Sequence, residues 1–376
     1  MHGFLTLLSR PIPATLWRLR VCKLREIRNR VVFGKPFMEA LVLHAPRDLR
    51  IEKHQAMRLM PGQVMVRIEV GGICDSDLSY YTRGGFGAAT LAEPIILGHE
   101  LAGIVEALGP AVLGLQIGDR VAINPSRPCG QCNMCRAGLP NHCRQMRFYG
   151  SIVHTRPTQG GFCRDLVCDA TQCFPARFAG AAELALAEPF SVALHAAERA
   201  GSLRGKRVLV MGCGPVGALV VAAARLHGAR DIVAADVVRE KLGIVRGFGA
   251  RTTFDLAEVP DGLAAWTDMI DVAFECSGMS DALQNAVRAL RPRGTLVQVG
   301  IGQDLTLAQG HVVAKELTVL GSYRFHEEFG TAVSLIDSGR AALGSMITHS
   351  FPLDDATCAF EAALDRRRAV KVQLTF

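Results

Sequence analysis

One glycine-rich turn limits the possible folds of this chain more than any other stretch. It comprises Gly212, Cys213, Gly214, Pro215, Val216 and Gly217. A predicted strand at 206–211 precedes it, an apolar helical stretch at 218–227 follows, and a second strand is predicted at 231–235. Asp236 ends that strand, about twenty residues after the turn. A strand, a tight turn, a helix and an acid at this spacing predict a dinucleotide site on a doubly wound parallel sheet.

The residues of this turn have separate predicted roles in binding the cofactor. The glycines permit a tight turn and let the backbone approach a pyrophosphate, whose charge would lie at the helix N-terminus that begins with Pro215 and Val216. Asp236 would accept hydrogen bonds from the adenine ribose and repel a 2′-phosphate, which favours NAD over NADP. Arg239 lies nearby and could soften that preference. The alternative is that Gly217 only permits close helix packing.

The remaining pattern predicts two domains. Strands at 271–275, 294–300 and 316–322, with a helix at 281–290, continue the parallel sheet. Short apolar runs at 40–44, 63–70, 103–108 and 119–123 predict a small irregular barrel. A helix at 329–338 and a strand at 370–376 break the alternation and are expected to return to the barrel. We therefore predict a catalytic domain at 38–190 and 323–376, and a dinucleotide-binding domain at 191–322.

A cluster of four cysteines is the most specific metal signal in the sequence. Cys129, Cys132, Cys135 and Cys143 lie within fifteen residues, separated by glycines and a proline. Four sulfurs can enclose one tetrahedral zinc ion and leave no position for a substrate, so the predicted site is structural. A disulfide pair or an iron–sulfur cluster is the competing interpretation. The other cysteines show no paired spacing, and we assign them no role.

A second set of candidate metal ligands lies earlier in the chain. His99 and Glu100 follow Cys74 by about twenty-five residues. A histidine beside a glutamate is by itself more typical of a hydrogen-bonded core pair. Together with Cys74, however, they form a thiolate, imidazole and carboxylate set that suits zinc, and three protein ligands leave an open position for chemistry.

Composition and charge limit the classes of binding partner and the cellular location expected for this chain. The net charge is +7 in 376 residues. Residues 1–37 carry eight Lys and Arg and one acid, Glu26, so the rest of the chain is neutral. We interpret this leader as an unstructured extension or an early start assignment, with a targeting peptide or nucleic-acid arm as the alternatives. Twelve cysteines without a disulfide pattern favour a reducing, cytoplasmic location, and no apolar run is long enough to span a membrane.

In order and spacing, these motifs and the segment 274–278, Phe-Glu-Cys-Ser-Gly, resemble the zinc-containing medium-chain dehydrogenases over residues 38–376. The resemblance implies a GroES-like barrel, a Rossmann domain, one catalytic and one structural zinc, NAD or NADP, and a dimer or tetramer. It also implies a small-molecule substrate, without a nucleic-acid or membrane partner. Glu188, between Ala187 and Pro189, stands where alcohol dehydrogenases of the family carry a cysteine and polyol dehydrogenases a glutamate. The polyol branch is therefore implied.

The resemblance also assigns roles to single residues. Cys74, His99 and Glu100 would ligate the catalytic zinc, with Glu188 reaching it directly or through water; Asp77 would orient His99, and Ser76 would accept the substrate proton. Further motifs resemble the L-idonate 5-dehydrogenase group, which implies substrate contacts by Arg324, Phe325 and Arg147. Arginine suits a substrate carboxylate because it binds carboxylates through two hydrogen bonds.

Two departures from the family pattern leave parts of this assignment open. Asp75 replaces the usual glycine, and Ser79 replaces a histidine that could pass the proton to solvent. A sorbitol or xylitol dehydrogenase is the nearest alternative within the family. The alternative from another class is a dinucleotide sensor or a nucleic-acid-binding protein without catalysis.

Overall fold

A computed structural model describes residues 37–55, 58–153, 157–302 and 305–376. The predicted extension, residues 1–37, lies outside this range except for Phe37, which is the first residue of a strand rather than part of a leader. Within the described ranges, no helix has both the length and the apolar composition needed to cross a membrane.

The first part of the chain is rich in short strands. Its elements are β1 (Phe37–Ala45), β2 (Asp48–Gln55), β3 (Gln63–Gly72), α1 (Asp75–Arg83), β4 (Gly85–Phe86), β5 (Ala89–Thr90), β6 (Ile95–Ile96), β7 (Glu100–Leu108), β8 (Arg120–Ile123), β9 (Ser126–Arg127), α2 (Asn133–Arg136), β10 (Arg147–Phe148), β11 (Asp165–Asp169), β12 (Cys173–Ala176) and α3 (Ala181–Leu184). The predicted strands are present, and those at 40–44, 63–70 and 103–108 are each longer than the sequence pattern indicated.

The second part alternates strands and helices. Its elements are α4 (Ala187–Arg199), β13 (Arg207–Met211), α5 (Pro215–Leu226), β14 (Asp231–Asp236), α6 (Arg239–Phe248), β15 (Thr252–Asp255), β16 (Ile270–Glu275), α7 (Ser280–Ala289), β17 (Leu290–Gln298), α8 (Gln309–Ala314) and β18 (Thr318–Gly321). The chain ends with α9 (Glu328–Asp337), β19 (Ile347–Pro352), α10 (Ala356–Leu364) and β20 (Lys371–Thr375).

The larger sheet of the first part has the strand order β12-β8-β7-β3-β20-β19, with β11 also paired to β3. Alternation explains how β3 packs at its centre: Val64, Val66 and Ile68 are fully buried, while Arg67 between them is exposed. A strand with this period of two presents one face to the core. C-terminal β20 pairs antiparallel with β3, so the end of the chain returns to this sheet.

The second sheet is parallel throughout, with the order β15-β14-β13-β16-β17-β18. Strands β13, β14 and β16 are runs of buried apolar residues, as expected when helices cover both faces of a sheet. The order reverses between β13 and β16, and ligands of such sheets bind beyond the carboxyl ends of the strands at this reversal. The glycine-rich turn follows β13 directly and therefore lies there.

Helix α4 joins the two parts. It begins at Ala187, runs to Arg199, and packs against α5 and α9. The predicted domain boundary at 190 therefore falls inside a continuous helix. Pattern reasoning places a boundary where the periodicity changes, and it cannot detect that one helix serves both sides.

Candidate functional site

The four predicted structural ligands meet in one lobe. The sulfurs of Cys129, Cys132, Cys135 and Cys143 all lie within 4.8 Å of one another. Backbone N–H groups donate to these sulfurs: Cys129 N lies 3.2 Å from Cys143 Sγ, and Cys132 N lies 3.4 Å from Cys129 Sγ. Hydrogen bonding from the N–H of Cys135, followed by that of Arg144, lowers the pKa of Cys132 to about 6. Among the described cysteines there is no disulfide, so the lobe offers thiol donors that can hold a tetrahedral ion.

Cys74 stands at the N-terminus of α1, and Asp77 stabilises that turn. Cys74 is the N-cap residue, with extended backbone angles of −99° and 158°. Asp77, three residues on, accepts a hydrogen bond from the Cys74 N–H at 3.1 Å and another from the Gly98 N–H at 3.3 Å. One fully buried carboxylate therefore ties together the turns that carry Cys74 and His99.

His99 is presented by a turn that requires glycine. Gly98 has a φ of +94°, and a Cβ there would lie 2.1 Å from the ring of Phe162. The buried His99 Nδ1 has no hydrogen-bond partner within the ranges that the structure describes, and it lies 3.8 Å from Asp77 Oδ1, too far for a hydrogen bond. Burial disfavours the imidazolium, but the negative charges of Asp77 and Cys74 prevail and raise the pKa of His99 to about 10. The surroundings of His99 thus favour positive charge.

Cys74, His99 and Glu100 bring one ligand atom each into a group that spans no more than 4.8 Å. Soft, borderline and hard donors in one buried cluster suit zinc, and the excess negative charge around His99 would be balanced by a divalent cation. The donor set therefore fits the catalytic zinc that the resemblance implies.

Lys371 is the residue of this site that sequence reasoning missed. Its Nζ donates to Glu100 Oε1 at 2.6 Å, to Glu100 Oε2 at 2.7 Å and to the carbonyl of Ile73 at 3.1 Å. The lysine is 2 % exposed, and the charge of Glu100 raises its pKa although burial opposes this. The sequence offered little signal, because Lys371 begins β20 and two of the other four residues, Gln373 and Thr375, are polar as well. Only the burial of the lysine shows that it needs a partner.

Glu188 lies near this cluster but outside the 4.8 Å group. It is buried in the first turn of α4. Burial, together with the charge of Glu100, raises its pKa to about 7, while His99 opposes the shift. Glu188 is therefore close enough for its charge to act on His99, and its role as a ligand, direct or through water, stays a prediction.

Two serines of α1, Ser76 and Ser79, bear on the predicted path of the substrate proton. Ser76 is partly buried in the first turn of α1, between Cys74 and Asp77. Ser79 donates to the Gly85 carbonyl and accepts from Arg83, so its hydroxyl is engaged within the local fold. Asp75 is exposed and pairs with Arg366 at 3.3 Å. Its negative charge also acts on the buried Lys371.

The three predicted substrate residues have different environments. Arg324 places its Cζ 4.1 Å from the centroid of the Phe148 ring, and the same ring lies 5.4 Å from the ring of His99. Its Nη1 is buried and has no hydrogen-bond partner among the described residues. Phe325 is 2 % exposed, and its ring packs on that of Phe329. Substrate contact by Phe325 stays a prediction. Arg147 is exposed and precedes Phe148 in β10, so it faces the other side of the strand.

The glycine-rich turn fits a dinucleotide. A Cβ on Gly217 would lie 1.8 Å from the Gly212 carbonyl oxygen, so this glycine is required by the turn itself. At Gly214 a Cβ would meet no atom of the described residues within 4 Å. This leaves space for a ligand against the N-terminus of α5, beside Pro215 and Val216.

The acid beyond the turn is also in place. Asp236 accepts hydrogen bonds from the N–H groups of Cys213 at 2.6 Å and Val238 at 2.8 Å. Each carboxylate oxygen has a second acceptor position, which a ribose hydroxyl could use. Arg239 is exposed and pairs with Glu258 at 2.9 Å.

Known protein families and proteins match most of this chain. Residues 60–177 match the family model described as alcohol dehydrogenase GroES-like domain, and residues 215–338 match zinc-binding dehydrogenase. L-idonate 5-dehydrogenase (NAD(P)(+)) of Escherichia coli is 38% identical over 318 residues, which are 83% of this chain and 91% of that protein. Sorbitol dehydrogenase of Macaca fascicularis is 34% identical over 337 residues, covering 87% and 93%.

The solved structure of L-idonate 5-dehydrogenase from Escherichia coli superposes with a TM-score of 0.87 at 36% identity, covering 90% of this chain and 98% of that one. The predicted fold class and the predicted cofactors, zinc and NAD or NADP, are confirmed at the level of the family. The chain belongs to the zinc-binding alcohol dehydrogenases, in their polyol dehydrogenase branch, and is an NAD(P)-dependent oxidoreductase acting on CH–OH donors.

Proposed function

We propose that this protein oxidises the C5 hydroxyl of L-idonate, with NAD or NADP as hydride acceptor, and forms 5-dehydro-D-gluconate. The observation that carries this proposal is the buried Nη1 of Arg324, which has no hydrogen-bond partner in the described part of the chain and lies beside the donor cluster. Leaving a buried guanidinium N–H unsatisfied is costly, whereas a carboxylate would satisfy it with a charge-assisted hydrogen bond. A sugar acid supplies that carboxylate, and a neutral polyol does not.

The residues of the chain divide the work as follows. Cys74, His99 and Glu100 would hold the zinc, with Glu188 as the fourth group. When bound, zinc lowers the pKa of a coordinated hydroxyl and the nicotinamide accepts hydride.

Three further side chains would act on the substrate and its proton. Arg324 would bind the substrate carboxylate and thereby fix the distance of the reacting carbon from the metal ligands. Ser76 would accept the proton of the hydroxyl. Glu188, whose pKa is raised to about 7 by burial, lies near these groups and could exchange a proton near neutral pH.

The likeness to sorbitol dehydrogenases supports a second candidate, oxidation of sorbitol or xylitol by the same machinery. In this candidate Arg324 would contact hydroxyl groups instead of a carboxylate. The two candidates share the metal ligands and the cofactor turn, so only the substrate separates them.

The deciding experiment compares L-idonate, sorbitol and xylitol, each with NAD and with NADP, on the zinc-loaded protein and on Arg324→Ala. We expect Arg324→Ala to lower kcat/KM for L-idonate by about ten- to a hundredfold, the value of a hydrogen bond to a charged group, and to affect sorbitol much less. Arg340→Ala, at an exposed arginine outside the predicted site, is the matched control. Equal losses on both substrates, or a wild-type preference for sorbitol, would favour the second candidate.

We also propose that the protein is cytoplasmic and forms a dimer or tetramer, on the strength of the family resemblance. Light scattering on the purified full-length chain would test the assembly: a monomeric mass would contradict it.

A further inference from the structure

The cysteine lobe contacts the segment that carries Arg324. Asn141 and His142 immediately precede Cys143, the last cysteine of the lobe. Asn141 is 6 % exposed. Its side-chain Nδ2 donates a hydrogen bond to the Tyr323 carbonyl at 3.1 Å. The His142 ring stacks on the Tyr323 ring, with centroids 5.6 Å apart and an angle of 27° between the planes. The lobe therefore holds both the backbone and the side chain of the residue before Arg324.

Arg324 itself has a backbone conformation that its neighbours must maintain. Its φ is +55°, in the left-handed region that residues other than glycine rarely adopt. Such a conformation persists where surrounding contacts over-determine it. The Asn141 hydrogen bond lies on the carbonyl of the peptide that joins Tyr323 to Arg324, so it restrains the rotation that sets the direction of the Arg324 side chain.

The guanidinium contacts two rings. The Arg324 Cζ lies 4.1 Å from the centroid of Phe148 and 5.2 Å from that of Tyr323. Phe148 contacts His99, and Tyr323 contacts His142. The position of the guanidinium is thus linked through Phe148 to the catalytic donors and through Tyr323 to the cysteine lobe.

We propose that Asn141 and His142 are positioning residues that set the location of the Arg324 guanidinium, so that the cysteine lobe determines how well the enzyme accepts a substrate carrying a carboxylate. This inference rests on the proposed function, because it requires that Arg324 meets the carboxylate. The lobe then has a part in specificity besides any structural part. A purely structural lobe would affect every substrate alike, whereas a lobe that places Arg324 affects acids more than neutral polyols.

The test uses Asn141→Ala in the full-length, zinc-loaded enzyme. We expect KM for L-idonate to rise about tenfold, since a small displacement of a substrate-positioning group has effects of this order, with kcat/KM for sorbitol changed about twofold or less. Amide hydrogen exchange in residues 322–326 should become faster, and zinc content should not change. Asn133→Ala is the matched control, because Asn133 is an exposed asparagine of the same lobe and should alter neither measurement.

His142 provides an independent pair of variants. His142→Phe keeps a flat ring against Tyr323 and should behave like the wild type, whereas His142→Ala should raise KM for L-idonate about threefold, the value of a lost ring contact. Should Asn141→Ala fail to fold, this pair decides the question alone.

The outcomes separate the two proposals. Equal loss on L-idonate and sorbitol, or unchanged exchange and unchanged KM in both Asn141→Ala and His142→Ala, would overturn the positioning role while the Arg324→Ala result still stands. Faster exchange with an unchanged ratio of the two substrates would show that the lobe holds the loop without placing the Arg324 guanidinium, and would overturn this inference. Only an equal loss on both substrates in Arg324→Ala would overturn the substrate assignment.

Discussion

The cysteine lobe and the catalytic donor cluster both fit zinc, but they are built in different ways. The lobe takes all four sulfurs from 129–143, its helix α2 has no buried residue, and backbone N–H groups from the same segment donate to its sulfurs. The catalytic cluster takes its groups from α1, β7, α4 and β20, and most of them are fully buried.

This difference predicts how each site depends on its metal. The catalytic donors are held by the packing of the barrel sheet, by Asp77 and by the Glu100–Lys371 ion pair. They should keep their places without zinc, which would supply chemistry there more than stability. The lobe has little core of its own, so its folding should be coupled to metal binding.

The largest effect should come from Cys74→Ala. Turnover should fall on the order of a thousandfold or more, because loss of the metal removes several kcal/mol of stabilisation of the developing alkoxide. Zinc content should drop by one equivalent, with the melting temperature nearly unchanged because the cluster is held by packing. Cys358→Ala, at an exposed free cysteine, serves as the control. Retained turnover would remove Cys74 from the ligands, and a collapse of the fold would contradict the comparison.

Lys371→Met should have the largest effect on the free energy of unfolding. It leaves the Glu100 carboxylate buried without its partner, which costs about 3–5 kcal/mol. The double variant with Glu100→Gln should recover much of that loss, since the unpaired charge is gone. Urea unfolding would measure both, with Lys53→Met on the exposed face of β2 as control. If the single variant were as stable as the control, the ion pair would not be what holds Glu100.

The same contrast explains what could be predicted from the sequence. The lobe was predictable in full because every donor lies within one short segment. The glycine-rich turn was predictable for the same reason, since the acid that follows it is only one helix away. Cys74, His99 and Glu100 were found because their chemical types are unusual together.

The parts that were missed are contacts between distant segments. Lys371 meets a carboxylate 271 residues away, and Asn141 meets a carbonyl 182 residues away. Cys168 and Cys173 have sulfurs 3.4 Å apart in the core, although their spacing resembles no known motif. Local periodicity contains no information on such pairs.

Cys135→Ser tests the other half of the comparison, with a smaller effect on the whole protein. The variant should lose one equivalent of zinc, and proteolytic cleavage within 129–145 should become about tenfold faster or more, because the local opening of a metal-held segment requires less free energy. Amide exchange in the parallel sheet should stay as in the wild type. Cys358→Ser is the matched control. Global unfolding of the variant would show that the lobe is part of the common core.

The smallest effect on the free energy of unfolding should come from hydrogen bonds that join α9 to the segment after β12 and involve no metal ligand. Asp337, the last residue of α9, accepts hydrogen bonds from the N–H groups of Arg177, Phe178 and Ala179, which follow β12, at 2.7 to 3.1 Å.

Burial alone would raise the pKa of Asp337, but these N–H donors outweigh it and hold the pKa below the ordinary value of 3.8. A carboxyl with a lowered pKa stabilises the fold above its unfolded pKa and loses that contribution as pH falls through the folded value. Asp337→Asn should therefore cost about 1 kcal/mol at pH 7 and progressively less as the pH falls from about 4 through the lowered folded pKa, below which the wild type is itself protonated. Urea unfolding at pH 7 and at a pH below the folded pKa measures this cost, with the exposed Asp354→Asn as control. A cost that stayed constant with pH would mean that the charge of Asp337 has no part in joining α9 to the barrel.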